Sequence, residues 1–297
     1  MSTVSTRSWT RYTSTDEDSA RWERFDFRDG DIVISSRSKS GTTWVQMICA
    51  LLVFRTPELP APLPVLSPWL DHLVEPIEEV AARLEAQEHR RFVKTHTPLD
   101  GVPLDERATY VVVARDPLDA AVSLYHQAEN IDRERLHELT GAPAGSSDAR
   151  APLHSWLADW VVAESDPAER MDSLSGFLHH LSDAWRRRRE PNVVLVHYAD
   201  LARDLPGEMR RIASRLGIDV PPATWPLIVE AATFRSMRAR AASLTPDTLG
   251  IFKDRSAFFR RGRSGAGREV LSADELRGYE QRVTAALGAE LSAWLLR

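Results

Sequence analysis

Cysteine is almost absent from this chain, because Cys49 is the only one among 297 residues. A single cysteine excludes an intrachain disulfide and a cysteine-rich metal site, and it fits a reducing compartment. The polar N-terminus is not typical of a signal peptide. No apolar run reaches the roughly 18 residues that would span a membrane. We therefore expect a cytoplasmic protein with no membrane-spanning segment.

An excess of positive charge is also lacking. Lysine and arginine total 38 against 43 acidic residues, giving a net charge of −5 and a sequence pI near 6.0. The balance gives no reason to expect nucleic acid as a partner, so any anion site must be a local basic cluster. The histidines show no HExxH-like spacing, and we expect no metal.

The organisation of the chain follows from its composition. A hydrophobic content of 43% is enough for a large core. Residues 1–20 are rich in serine, threonine and charge, and we interpret them as a flexible lead-in with at most partial order around Trp9 and Tyr12. Residues 21–297 are interpreted as a single domain. The stretch at about 129–183 gives the weakest signal for function. Its helical patterns predict a helical excursion beside the active site.

The most informative stretch runs from Asp31 to Phe54. Residues 32–34 form a β-branched run that suits a buried parallel strand, and apolar residues at helical spacing follow from Thr43. The loop between them is typical of phosphate binding, because first-turn amides of a helix and its dipole favour an anion. Side-chain or backbone groups that can contact the anion come from Lys39, Ser40, Gly41, Thr42 and Thr43.

Two alternatives compete with that interpretation of the loop. An ordinary strand–loop–helix turn would use the same hydroxyl groups as caps. A Walker A loop requires glycine, four residues and then Gly-Lys-Ser/Thr. Here Lys39 precedes Ser-Gly-Thr-Thr, so an ordinary P-loop kinase or ATPase is not matched.

Two further apolar runs end in basic residues. Phe92 and Val93 begin a strand that ends in Lys94 and His96. A strand-end histidine is often only a structural hydrogen-bond partner, but its ordinary pKa also suits a general base.

The run 110–114 is the strongest strand signal, and Arg115 follows it, with Ser123 two turns into the next helix. An arginine at a strand end suits bidentate phosphate contact, and the competing structural role is a salt bridge between Arg115 and Asp119.

A fourth strand at 192–197 precedes Tyr198, and Asp200 opens a helix predicted to run to about Leu216. Repeated strand-to-helix crossovers predict an α/β fold with a parallel sheet flanked by helices on both faces. Ligands of such sheets gather beyond the carboxyl ends of the strands. The loop around Lys39, the Lys94–His96 segment, Arg115 and Tyr198 are therefore predicted to form one anionic-ligand site.

These motifs resemble those of the sulfotransferases that use 3′-phosphoadenosine 5′-phosphosulfate (PAPS). The segment Arg37-Ser-Lys-Ser-Gly-Thr-Thr-Trp44 is similar to the family's 5′-phosphosulfate loop, Tyr-Pro-Lys-Ser-Gly-Thr-Thr-Trp. The Lys94-Thr-His96 segment resembles the catalytic segment. Further matches to nucleotide-binding positions are Arg115 and Ser123 at the 3′-phosphate, Tyr198, Phe234, and Arg260, Arg261 and Gly262 in an arginine loop.

The resemblance implies a three-layer P-loop-like sheet and sulfuryl transfer from PAPS, leaving 3′,5′-adenosine bisphosphate. His96 is then the general base, Lys39 acts on the leaving phosphate, and Lys94 acts on the sulfuryl oxygens. Trp44 and Phe234 are expected to stack against adenine. No metal is required.

The sequence departs from the family at several places. Ala232 replaces a threonine near adenine, and no Asp-Trp follows the arginine loop. A nucleotide-dependent kinase and a non-catalytic nucleotide-binding protein stay open as alternatives. The tryptophans 69, 156 and 160 favour a small apolar or aromatic acceptor hydroxyl, or an amine. A short dimerisation motif is missing, so the oligomeric state is open.

Overall fold

A four-stranded parallel sheet lies at the centre of the fold, in the strand order β2-β1-β3-β4. The computed structural model describes residues 9–140, 150–247 and 249–297. The strands are β1 (Ile32–Ser36), β2 (Phe92–Thr95), β3 (Thr109–Ala114) and β4 (Val193–His197). All four are short and almost wholly buried, as expected for strands of a parallel sheet covered on both faces.

Helices connect and cover the strands. Those in the described residues are α1 (Thr42–Phe54), α2 (Leu63–Leu66), α3 (Ile77–Glu85), α4 (Pro117–Asn130), α5 (Arg133–Thr140), α6 (Leu153–Val162), α7 (Leu174–Arg186), α8 (Tyr198–Arg203), α9 (Leu205–Leu216), α10 (Trp225–Ala231), α11 (Phe234–Ala239), α12 (Ala241–Leu244) and α13 (Ala273–Leu295). Short 3₁₀ helices lie at Ser19–Arg24, Leu99–Gly101, Pro222–Thr224 and Ser256–Phe258.

Successive side chains of each strand enter different cores, because they point to opposite faces of the sheet. Ile32 and Ile34 pack with α1 and with α9 to α12, whereas Val33 packs with α3, α7 and the 3₁₀ helix at 19–24. A third core joins α4, α6, α7 and α13. The predicted α/β fold, a parallel sheet with helices on both faces, is confirmed.

The parallel register brings the carboxyl ends of the strands to one edge. Ser36 of β1 lies beside Val113 of β3, and Ala114 lies beside His197 of β4. The segments that leave these ends carry Lys39, Lys94 to His96, Arg115 and Tyr198. The predicted convergence of these segments is therefore found.

The amino-terminal segment is more ordered than the flexible lead-in predicted from its composition. Residues 1–8 lie outside the described residues, but residues 9–20 pack on the body. Tyr12 is buried and its hydroxyl donates to Asp100 (2.9 Å), while Glu17 forms a β-bridge with His72. Many polar side chains of this segment are exposed, and its order comes from these long-range contacts, which composition does not show.

Helix boundaries differ from the predictions in one further place. The helix expected from Asp200 to Leu216 is two helices, α8 and α9. They separate at Asp204, whose carboxylate accepts from the Gly207 amide (2.9 Å) and caps α9, where Pro206 occupies the first turn.

The predicted helical excursion contains α5, α6 and α7. Its loop at 141–149 lies outside the described residues. In the parts of the chain that are described, no helix is long and apolar enough to cross a membrane. In the same parts, no group of three or more His, Cys, Asp or Glu side chains is arranged to hold a metal ion.

Candidate active site

A cavity of about 770 Å³ opens at the carboxyl edge of the sheet. Of the residues singled out from the sequence, all except Ser40 line it: Lys39, Gly41, Thr42, Thr43, Trp44, Lys94, His96, Arg115, Ser123, Tyr198, Phe234, Arg260, Arg261 and Gly262. Ser40 is buried within the same loop and is not among the lining residues.

The loop between β1 and α1 forms the floor of the cavity. Gly41 caps α1 with φ of 104°, a left-handed conformation that favours glycine. A Cβ atom at this position would lie 2.8 Å from Cδ2 of Tyr198, so the close approach also requires glycine. The Thr42 and Ser36 hydroxyls hydrogen-bond each other (2.5 Å). The amides of Trp44 and Val45 donate to the Gly41 carbonyl (3.0 and 3.1 Å), whereas those of Thr42 and Thr43 have no acceptor among the described residues.

Lys39 lies in this loop with its amino group among other cations. Nζ bonds to Oε1 of Gln127 and lies 3.9 Å from the centroid of the Phe258 ring. Burial lowers the pKa of Lys39 to about 7, and Arg115, Lys94 and Arg260 add repulsion in the same direction. The amino group is therefore poised to gain a proton when an anion binds.

Lysine is rare in the sequence, which has three lysines and 35 arginines. Two of the three, Lys39 and Lys94, line the cavity. Lysine differs from arginine at such a position because its pKa shifts readily on burial, so it can both stabilise charge and transfer a proton.

Lys94 is the buried cation on the β2 side. Its Nζ lies 3.6 Å from the centroid of the Trp69 ring and has no hydrogen bond or ion pair among the described residues. Burial lowers the pKa of Lys94 to about 8, and Glu17 opposes that shift.

His96 is buried beside Lys94, and its ring packs edge-on against Trp69 with the ring centroids 4.6 Å apart. Its Nδ1 lies 2.5 Å from the carbonyl oxygen of Ser36. A carbonyl only accepts, so Nδ1 carries the proton and Nε2 keeps a free lone pair. Burial lowers the pKa of His96 well below its usual range, with Lys94 and Arg37 contributing.

Arg115 and the arginine loop (residues 258–268) form the next wall. The two Nη atoms of Arg115 donate to the carbonyls of Lys39 and Arg263 (both 3.1 Å). Its Nε is buried and has no hydrogen-bond partner in the part of the chain that the structure describes, and the same holds for Nε of Arg260.

Asp119 holds the arginine loop in place. Its carboxylate accepts from the amides of Gly265 (2.8 Å) and Gly267 (2.9 Å), but lies 3.9 Å from Arg115. The salt bridge considered as the alternative role of Arg115 is therefore a long contact, and the main partners of Asp119 are loop amides.

Aromatic residues line the part of the cavity between α1 and α11. The Trp44 and Tyr198 rings pack edge-on with centroids 5.2 Å apart, and Trp44 Nε1 donates to the carbonyl of Ala232 (2.8 Å). Gly262 has φ of 64°, and a Cβ there would lie 2.4 Å from the Phe234 ring. Glycine therefore lets the arginine loop cross directly over this ring.

Apolar side chains also line the cavity, and we call this part of the lining its apolar end. These side chains come from the chain between β3 and β4 and from residues 251–252: Leu124, Ile131, Trp156, Trp160, Met171, Ile251 and Phe252. Arg37 crosses from the floor to this end, where its guanidinium pairs with Asp172 (2.7 Å) and also donates to the carbonyl of His96. Arg37 thus ties the apolar end to the segment that carries His96.

Sequence reasoning missed several residues of this site. Gln127 lies one helical turn after Ser123, and that spacing could have placed it on the same face. Phe258 is the first residue of the arginine loop, and its ring covers the Lys39 amino group. The Arg37–Asp172 pair joins residues 135 positions apart, and no local signal predicts it.

Comparison with known proteins places this geometry in context. A family model described as a sulfotransferase domain matches residues 29–288. A glycolipid sulfotransferase of Mycobacterium bovis (strain BCG / Pasteur 1173P2) is 42% identical, over 95% of this chain and 93% of its own. Human sulfotransferase 2B1 is 28% identical, over 81% of this chain and 61% of its own.

Solved structures share the fold at lower identity. Mouse sulfotransferase SULT7A1, complexed with PAP, has a TM-score of 0.70 and 21% identity over 93% of this chain and 90% of that chain. A retinol dehydratase in complex with androsterone and inactive cofactor PAP has a TM-score of 0.69 and 22% identity, covering 91% of this chain and 84% of that chain.

Proposed function

The chain belongs to the sulfotransferase domain family. On this premise, we propose that the enzyme transfers a sulfuryl group to a hydroxyl of an amphipathic acceptor bound in this cavity, with His96 as general base. The sequence prediction of a PAPS-dependent sulfotransferase is confirmed by the family match. The proposal concerns the role of each residue and the kind of acceptor.

The observation that carries the proposal is the group of cations at one end of the cavity. Lys39, Lys94, Arg115 and Arg260 line it. Among the described residues, Nζ of Lys94 has no hydrogen bond or ion pair, and Nε of each arginine has no hydrogen-bond partner. Donor groups of cations that are left unsatisfied in a buried site are costly unless an anion joins them. Together with the first-turn amides of α1, they fit a donor with two separate phosphate groups.

The reaction requires one proton transfer and one bond exchange. Nε2 of His96 takes the proton from the acceptor hydroxyl as the acceptor oxygen forms its bond to sulfur. The bond between sulfur and the bridging phosphate oxygen breaks, and its electron pair remains on that oxygen. We assign Lys39 to stabilise this charge and Lys94 to face the sulfuryl oxygens.

The acceptor is proposed from the apolar end of the cavity. Trp156, Trp160 and Phe252 can pack against an apolar chain or ring while a polar head reaches His96. The relative that is 42% identical is named a glycolipid sulfotransferase, and its name describes an acceptor of this amphipathic kind. A cytoplasmic location, expected from the single cysteine, is part of the proposal.

Calorimetric titration with 3′,5′-adenosine bisphosphate, alongside ATP with magnesium, tests the donor site. We expect the bisphosphate to bind at least about 100-fold more tightly, because the site has several cations for two phosphates and a lysine order unlike a Walker loop. A preference for ATP with magnesium would revive the kinase alternative. Binding of neither nucleotide would indicate a fold that has lost its family's chemistry.

The affinity for the bisphosphate is expected to fall as pH rises from 7 to 9. Burial lowers the pKa of Lys39 to about 7, and a bound anion raises it again, so binding above pH 7 takes up a proton. For one such group, Kd rises by up to about tenfold per pH unit until the pKa of the complex is reached. Below pH 7 the group is already protonated and its contribution levels off.

Calorimetry in two buffers with different ionisation enthalpies measures this proton uptake directly. Lys39→Met should lower the number of protons taken up on binding by the contribution of Lys39. The proton uptake that remains should come from Lys94, whose pKa is lowered to about 8. Lys253→Met, at the exposed third lysine, serves as the matched control. A wild-type affinity that is constant from pH 7 to 9 contradicts the prediction.

A further inference from the structure

Glu17 is a buried carboxyl group that lines the same cavity and has no role in the transfer described above. The residue is only 5% exposed. Among the described residues, neither of its carboxyl oxygens has a hydrogen-bond or ion-pair partner, and Oε2 is fully buried. A carboxyl group in this position is unusual, because burial of an unpaired acid is costly.

Contacts place Glu17 next to the reacting groups. Its backbone bridges that of His72, whose ring stacks on Trp69 with centroids 4.1 Å apart and an interplanar angle of 6°. The Trp69 ring in turn contacts both Lys94 and His96. Glu17 therefore lies on the wall of the cavity that also carries the proposed base.

Two cations act on this carboxyl group without bonding to it. Glu17 raises the pKa of Lys94, and Arg37 lowers the pKa of Glu17, yet no ion pair joins Glu17 to either. Acidic and basic side chains that lie in one buried cavity without pairing keep donors and acceptors that can hydrogen-bond a bound molecule. Enzymes that keep such capacity in a substrate cavity discriminate strongly between substrates that satisfy it and those that do not.

We propose that the Glu17 carboxyl group binds an acceptor hydroxyl other than the one that reacts, so that the enzyme selects polyhydroxylated head groups, of which a sugar ring is one. The inference rests on the proposed sulfuryl transfer and narrows its acceptor. Burial raises the pKa of Glu17 well above its usual range, which favours the neutral acid. A neutral carboxyl group both donates and accepts hydrogen bonds, as a hydroxyl partner requires.

The test compares two acceptors that share an apolar chain, octyl β-glucoside and 4-octylphenol, with PAPS as donor. We expect Glu17→Ala to lower kcat/KM for the glucoside by about 10- to 100-fold and to change that for the phenol by less than about threefold. Glu17→Gln keeps a donor and an acceptor and should retain more of the glucoside activity. Glu23→Gln, an exposed acid of the same segment, is the control.

Each outcome has a defined meaning. An equal loss for both acceptors, with bisphosphate affinity and Tm unchanged, overturns the inference, because Glu17 would then act on the reaction through Lys94. Wild-type transfer to the phenol alone also overturns it and leaves the proposed function standing. Transfer to neither acceptor overturns both.

If Glu17→Ala does not fold, octyl glucosides that lack single hydroxyls replace it. Removing one non-reacting hydroxyl should then lower kcat/KM for the wild type, and this loss should shrink in Glu17→Leu, whose side chain is of similar size but cannot hydrogen-bond the hydroxyl. Equal losses in both proteins overturn the inference.

Discussion

Replacing His96 with alanine is expected to lower kcat by about 10²- to 10⁴-fold and to leave the affinity for 3′,5′-adenosine bisphosphate within about twofold. The reason is the tautomer that the fold imposes. Nδ1 is held at 2.5 Å from the Ser36 carbonyl, which leaves Nε2 as the lone pair that can take the acceptor proton. The lowered pKa keeps this nitrogen unprotonated at neutral pH.

Added imidazole separates a catalytic from a structural role for His96. A base that is missing from an otherwise intact cavity can be supplied from solution, so imidazole should restore part of the turnover of His96→Ala. His154→Asn, at an exposed histidine paired with Glu275, is the matched control and should behave as the wild type. Undiminished kcat in His96→Ala with intact nucleotide binding refutes the assignment.

Replacing Lys39 with methionine is expected to lower kcat by about 10²- to 10³-fold, the usual loss when one preorganised group at a developing negative charge is removed. Methionine keeps the length of the side chain and removes the charge. Because Lys39 also belongs to the cationic group, the Kd of the bisphosphate should rise by about tenfold. Single-turnover rates and calorimetry measure the two effects separately.

Lys39→Arg distinguishes the kind of cation that the reaction requires. Arginine restores the positive charge, but its guanidinium stays protonated over the whole working pH range and therefore cannot donate a proton to the leaving phosphate. We expect nucleotide affinity to recover more fully than kcat. Full recovery of kcat in Lys39→Arg contradicts a role that depends on the shifted pKa of lysine, and a Lys39→Met variant with wild-type kcat contradicts any role at the leaving phosphate.

The cationic end of the cavity could be predicted from the sequence because the sheet itself assembles it. Lys39 and Arg115 come just after a buried strand and Lys94 lies near the end of one, and parallel strands bring their carboxyl ends together whatever else the chain does. Local patterns therefore sufficed for a cluster whose members are far apart along the chain.

Other parts of the cavity could not be predicted, because their residues follow no such rule. Glu17 lies in a polar segment whose composition suggests solvent, and backbone contacts with residues 71–73, among them the β-bridge to His72, make it part of the wall. Asp119 looked like a partner for Arg115, but two glycine amides about 150 residues away occupy it instead. Pairings of this kind are specified by tertiary packing rather than by spacing.

The two ends of the cavity are built from different kinds of segment of the chain. This division affects how substrate preference can change in evolution. The proposed donor end is built around strand ends and the start of α1, next to the buried sheet. The proposed acceptor end draws on the excursion between β3 and β4 and on the amino-terminal segment, outside the sheet. Acceptor preference can therefore drift among descendants of one ancestor, through insertions and substitutions in these segments, while the donor stays the same.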